Sequence, residues 1–214
     1  MKKKMTNHMA GLVLAAITSV VLINCSKEQN NGFSKNINEA QATMDLTNAK
    51  ASPGTDCGIP LPEILQVEQG NKLAYKAYAT GVQIWEVRRS ATDPNSYSWI
   101  NIAPSAKLYQ LPDFTQQTGT HYGGPSWEFS KGPYKGEKTV ASKLQGEVVN
   151  STAVPWLLLK ANDVLSSPGN KVTFIQRVCT TGGVAPAIPA SESNLGQKDS
   201  IPYTAVYLFY EKKD

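Results

Sequence analysis

Two runs near the C-terminal end, residues 171–178 (Lys-Val-Thr-Phe-Ile-Gln-Arg-Val) and residues 203–210 (Tyr-Thr-Ala-Val-Tyr-Leu-Phe-Tyr), constrain the fold more than any other feature. Each places β-branched or aromatic side chains at odd and even positions alike, the pattern of a strand buried on both faces. Around them the chain alternates short extended stretches with turn residues. Leu73, Tyr75, Ala77 and Ala79 alternate with Lys72, Ala74, Lys76 and Tyr78, and an extended pattern resumes over 82–88 after Thr80-Gly81, which reads as a hairpin. Asp93-Pro94-Asn95-Ser96 and Ser167-Pro168-Gly169-Asn170 carry turn chemistry. Further strands are expected over 97–102, 107–109, 126–129, 139–149 and 154–160. Only residues 162–166 suggest a helical turn, and no amphipathic helix or internal repeat is present. The expected fold is mainly β, a single antiparallel β-sandwich or barrel-like domain with long loops. The longest loop, residues 180–202, holds Gly182-Gly183, Pro186, Pro189 and a Ser-Glu-Ser-Asn run; its length makes it a candidate flank for a binding surface.

The other end of the chain bears on location. Lys2, Lys3 and Lys4 precede an uncharged apolar run over residues 10–23, and Cys25 follows at its edge. That run is shorter than the roughly 20 apolar residues a membrane-spanning helix needs. A basic start, a short apolar core and a cysteine resemble a bacterial lipoprotein export signal. The expected organisation is a signal peptide over 1–24, a lipidated cysteine and flexible tether over 25–55, and a β-sandwich-like domain over 56–214. The tether is rich in Asn, Gln, Lys, Ala, Ser and Thr, and some 27 such residues span roughly 30 Å. Pro53-Gly54, Pro60 and Pro62 mark the entry to folded structure. The expected setting is the bacterial cell envelope, with the protein anchored through acylated Cys25 and facing the periplasm or the outer surface.

Charge then loses its apparent meaning. Removing residues 1–24 takes away three lysines and no acid, so 21 basic residues fall to 18 against 17 acids. A nearly neutral domain without a Lys/Arg stripe gives no basis for a nucleic-acid partner. Cys57 and Cys179 remain either as a disulfide pair, which an oxidising envelope permits, or as two buried thiols; spacing alone does not choose between them.

Reaction motifs are missing. His121 is the only histidine beyond the signal, so a multi-histidine zinc site within one chain is excluded, and no metal site is expected. Neither Gly-x-Gly-x-x-Gly nor the phosphate-cradling Gly-Lys-Ser/Thr loop occurs, so no nucleotide cofactor is expected, and Gly-x-Ser-x-Gly is missing too. The densest candidate is His121-Tyr122-Gly123-Gly124-Pro125-Ser126-Trp127-Glu128. A sharp reversal at Gly-Gly-Pro could bring His121 and Glu128 together as acid and base, with Trp127 stacking on a sugar or aromatic ligand. The same residues equally make a tight turn whose Trp fills the core and whose Glu pairs with Arg177. Arg177 itself sits amid apolar neighbours, suiting a buried ion pair with Glu128 or Glu86, or a ligand clamp. The candidate binding residues are His121, Tyr122, Trp127, Glu128 and Arg177.

Six segments taken together resemble a known family. They are 81–85 (Gly-Val-Gln-Ile-Trp), 121–128, 154–159 (Val-Pro-Trp-Leu-Leu-Leu), 172–178, 181–186 (Thr-Gly-Gly-Val-Ala-Pro) and 202–210, and in the same order they resemble domain-of-unknown-function family 3455. The resemblance implies an exported, mostly β domain without an established activity. Some fungal members carry a malate dehydrogenase label, for which this chain has neither a dinucleotide fingerprint nor an alternating βα pattern. It also departs from the family in lacking a cysteine late in the long loop and in placing Cys179 where Asn is usual. The resulting expectation is a lipid-anchored envelope module with a binding or structural role and an unknown ligand, for which a small molecule or a carbohydrate is the candidate. The rival expectation is an envelope enzyme using His121 and Glu128.

Overall fold

A computed structural model of the chain describes residues 55–214. The expected export signal, Cys25 and most of the expected tether lie outside the described residues. Eight strands form a single antiparallel sheet: β1 (Asn71–Arg89), β2 (Tyr97–Tyr109), β3 (Gln117–Tyr122), β4 (Ser126–Phe129), β5 (Lys138–Glu147), β6 (Trp156–Ala161), β7 (Val172–Gly182) and β8 (Lys198–Lys212). Each pairs with the next, and β8 returns to β1, closing a barrel-like ring. Of the two architectures expected, the chain adopts the ring. Closure follows from β1, whose 19 residues pair with β2 along one side and β8 along the other, so no edge is left unpaired. Among the described residues the only helical elements are two short 3₁₀ turns, Glu63–Leu65 and Glu192–Asn194.

Three expectations are corrected. Thr80-Gly81 is not a turn, because β1 runs straight through it. Gly81 answers a steric demand instead: a Cβ there would stand 2.2 Å from the Ser105 carbonyl oxygen of β2, and glycine inside a strand marks such close backbone approach. Residues 117–122 form β3, which the pattern had not announced. The long connection shrinks to residues 183–197, since β7 continues to Gly182 and β8 starts at Lys198. Its strand character was hidden by a bulge. The β7–β8 register shifts between Val178 and Thr181, where Cys179 adopts φ 51°, and this breaks the period-two alternation. The turns at 93–96 and 167–170 form as expected, each closed by a backbone hydrogen bond of 3.1 Å. Residues 162–166 make one turn, with the Ser166 amide donating to the Asn162 carbonyl at 3.0 Å.

Burial on both faces of β7 and β8 has two sources. Inside the ring, Ile175, Tyr203, Ala205, Tyr207 and Phe209 join the central core. Outside, Phe174, Val178, Val206, Leu208 and Tyr210 pack with Trp156 and Leu158 beneath Leu65. Residues 55–67 thus form a strap over the outer wall, and burying one large apolar side chain such as Leu65 stabilises by roughly 2 kcal/mol. Polar groups register the strap: Gln176 Nε2 donates to the Leu65 carbonyl at 2.6 Å, and Tyr210 Oη donates to Gln176 Oε1 at 2.7 Å. Lys76 Nζ and Tyr78 Oη both donate to the Asp56 carboxylate, and Cys57 is disulfide-bonded to Cys179.

Candidate functional site

Antiparallel alternation puts the β1–β2, β3–β4, β5–β6 and β7–β8 connections at one end of the ring. The opposite end is filled by aromatic rings, with Tyr75 edge-on to Phe129 at 5.6 Å and to Tyr134 at 5.4 Å, and Phe129 edge-on to Phe209 at 5.4 Å. The end that carries the four connections is not filled in this way. There the interior holds a cavity of about 410 Å³, within the range of small-molecule sites.

The β3–β4 hairpin supplies one wall. Gly124 takes φ 96° in its turn, a conformation that favours glycine. The register then pairs His121 with Trp127 and Thr120 with Glu128. Because successive strand residues point to opposite faces, His121 and Trp127 turn inward while Glu128 turns out to solvent. His121 is 3% exposed and Trp127 1%. The His121–Glu128 acid–base pair is therefore not assembled. Glu128 accepts from Tyr122 Oη at 2.9 Å on the outer surface, and Lys138 Nζ lies 5.7 Å from the centre of the Tyr122 ring. Of the expected binding residues, the fold brings His121, Trp127 and Arg177 to one cavity and leaves Tyr122 and Glu128 outside it.

His121 Nδ1 lies 2.8 Å from the Ser126 carbonyl oxygen. A carbonyl only accepts, so Nδ1 carries the proton and Nε2 keeps its lone pair. Burial pushes the imidazole pKa down to about 3; the Ser126 bond opposes that shift and the charge of Arg177 reinforces it. The ring is held neutral.

Arg177 has neither of the acidic partners expected for it. Its Nε and Nη2 donate to the Pro155 carbonyl at 3.1 and 2.9 Å, whereas Glu86 pairs with Arg88 at 3.3 Å and Lys198 at 3.7 Å on the outside. The remaining cavity wall mixes apolar Val154, Leu157 and Leu159 with polar Gln83, Asn101 and Tyr207, and Lys143 also lines it. No lining residue is acidic. Two buried donors there lack an acceptor in hydrogen-bonding geometry, Trp127 Nε1 and Gln83 Nε2. The Gln83 carboxamide accepts from Asn101 Nδ2 at 3.1 Å through its oxygen, and it stands near enough to the Tyr203 hydroxyl to favour that group's ionised form. The long loop borders this end: Trp85 Nε1 donates to the Gly183 carbonyl at 3.0 Å and Trp99 Nε1 to the Ile188 carbonyl at 2.7 Å.

Gln83, Asn101, Lys143 and Tyr207 were not singled out by sequence reasoning. One signal was available. Ala77, Ala79, Gly81 and Gln83 share one phase of β1, and the first two lie in the interior core, so Gln83 is a polar residue on an inward-facing phase. Among the described residues no group of three His, Cys, Asp or Glu side chains is arranged to hold a metal.

No curated protein and no solved structure matches this chain. The family model for the protein of unknown function DUF3455 matches residues 67–211, from the end of the strap through all eight strands, and the chain belongs to that family.

Proposed function

We propose that this protein is a lipid-anchored, cell-envelope binding module that takes a small molecule into the interior of its strand ring. The observation that carries the reading is the cavity of about 410 Å³, in which a mostly apolar wall surrounds a few polar groups, among them the buried Trp127 Nε1 donor, which has no acceptor in hydrogen-bonding geometry. Such a wall holds a ligand by desolvation, and the donors orient it. The neutral His121, with no carboxylate beside it, speaks for binding over acid–base catalysis. Envelope location is supported by the lysines at 2–4, the apolar run 10–23 and Cys25. The Cys57–Cys179 bond fits an oxidising compartment.

The test is a thermal-shift screen of small molecules against the wild type and a Leu157→Trp variant, in which a larger side chain narrows the cavity. Ligands of this site raise the melting temperature of the wild type and not of the variant. A library that shifts both proteins alike, or neither, overturns the reading. Acylation is read by mass spectrometry of the mature N-terminal residue, where an unmodified Cys25 would refute the anchor.

A further inference from the structure

We propose that the ligand of this cavity is an organic monocarboxylate with an apolar body, its head group held by Arg177. The proposal rests on the reading of the interior as a ligand site and names the chemistry of that ligand. Four observations carry it. First, Arg177 lines the cavity and, among the described residues, is in no ion pair. A guanidinium has five N–H donors; Nε and Nη2 each give one to the Pro155 carbonyl, and the Tyr207 hydroxyl stands near enough to take another. A half-buried cation without a counter-charge is costly, and a bound anion removes that cost. Second, Lys143 adds a second positive charge and no acid lines the cavity, so the local potential favours anions. Third, Trp127 Nε1 and Gln83 Nε2 are donors on residues each 1% exposed; the first has no acceptor in hydrogen-bonding geometry, and the second has at most the nearby Tyr203 hydroxyl. A carboxylate, which only accepts and offers about four lone-pair positions, is complementary to them. Fourth, Val154, Leu157, Leu159 and the Trp127 ring give the rest of the molecule an apolar bed.

The same inventory selects among anions. Lys143 is exposed, leaving Arg177 as the only cation among the lining residues that is drawn into the wall. One such cation neutralises a singly charged head group, whereas a phosphate dianion would retain an uncompensated charge in an apolar enclosure. The Arg177 charge is felt by both His121 and Tyr207, which sets the head group beside those rings.

The experiment is isothermal titration calorimetry of the full chain with straight-chain carboxylates from butanoate to dodecanoate and with 4-phenylbutanoate, each beside its primary amide of matched shape, and with inorganic phosphate. The expected result is at least one carboxylate that binds at least about tenfold more tightly than its amide. Phosphate is expected not to compete with it. In Arg177→Gln the preference is expected to fall below about twofold, and Arg177→Lys is expected to keep part of it. Lys143→Gln, at an exposed position, keeps the comparison available if Arg177→Gln does not fold, and is expected to narrow the preference for carboxylate over amide. Amides that bind as well as their carboxylates would overturn the anionic ligand while sparing the cavity as a site. Binding of none of these compounds up to about 1 mM would overturn both.

Discussion

The imidazole of His121 lies flat on the indole of Trp127, with ring centroids 4.3 Å apart and planes 10° from parallel. Tyr207 meets the pair edge-on, 4.9 Å from His121 and 5.4 Å from Trp127. Three aromatic groups from β3, β4 and β8 thereby fix the wall between the packed half of the ring and its hollow half.

This burial makes stability depend on pH. The folded pKa of His121 is depressed to about 3 from an ordinary value of 6.5. In that window the unfolded chain accepts a proton that the folded one refuses, so stability is complete above about pH 6.5 and declines as the pH falls, by up to about 1.4 kcal/mol per unit. His121→Phe keeps an aromatic ring and cannot titrate. Its urea midpoint is expected to change less than that of the wild type between about pH 6.5 and 4.5, and equal changes in the two proteins would contradict a buried neutral imidazole.

The Cys57–Cys179 bond ties the strap to β7 across 122 residues of chain. Loop-closure entropy assigns such a bond about 5 kcal/mol of stability. Replacing both cysteines by serine is expected to lower the denaturation midpoint accordingly. It should also speed hydrogen exchange at the Leu65 amide, which donates to Pro62 within the strap, before exchange in β8 responds. If exchange at Leu65 and in β8 accelerates together, the strap is not a separately opening unit.

Gly81→Val tests the packing of β1 on β2. The added Cβ would meet the Ser105 carbonyl oxygen at 2.2 Å and Ala106 Cα at 2.5 Å, both backbone atoms that cannot swing aside. A loss of about 1–3 kcal/mol or more is expected in urea denaturation. A variant as stable as the wild type would mean that the two strands are not so closely apposed.

Trp99→Phe removes the N–H that donates to the Ile188 carbonyl at 2.7 Å. Residues 183–197 then keep the Trp85 attachment to Gly183 and the backbone bonds of Gly196 and Gln197 with Val87. Limited proteolysis is expected to cut the variant faster near residue 188, with little change in melting temperature. Unchanged cleavage would show that Trp99 does not restrain the loop.

Much of the fold was legible because it is written locally. Residues 203–210 announced a strand covered on both sides, and they are buried between the ring interior and the strap. The candidate site was legible in part. His121, Trp127 and Arg177 stood out by residue type and neighbourhood, yet the pairing of His121 with Glu128 failed for a reason of parity. With His121 opposite Trp127, the register leaves Glu128 one residue further along its strand and hence on the other face. For Arg177 the chain offers an acidic partner or a ligand clamp, because an ion pair is the usual companion of a buried guanidinium, and no pattern in it indicates the Pro155 carbonyl.

Alternation of side chains, turn chemistry and β-branched or aromatic enrichment act over a few residues, so the chain alone determined a mainly β domain, its principal strands and where folded structure begins. Ring closure and the membership of the cavity were decided only by tertiary structure. Both depend on register, and bulges between Ile84 and Trp85 and between Val178 and Thr181 reset which side chains face inward. A slip of one residue exchanges the two faces of a strand, so whether Gln83 or Arg177 meets outer solvent or the cavity is settled by pairing between segments far apart in the chain.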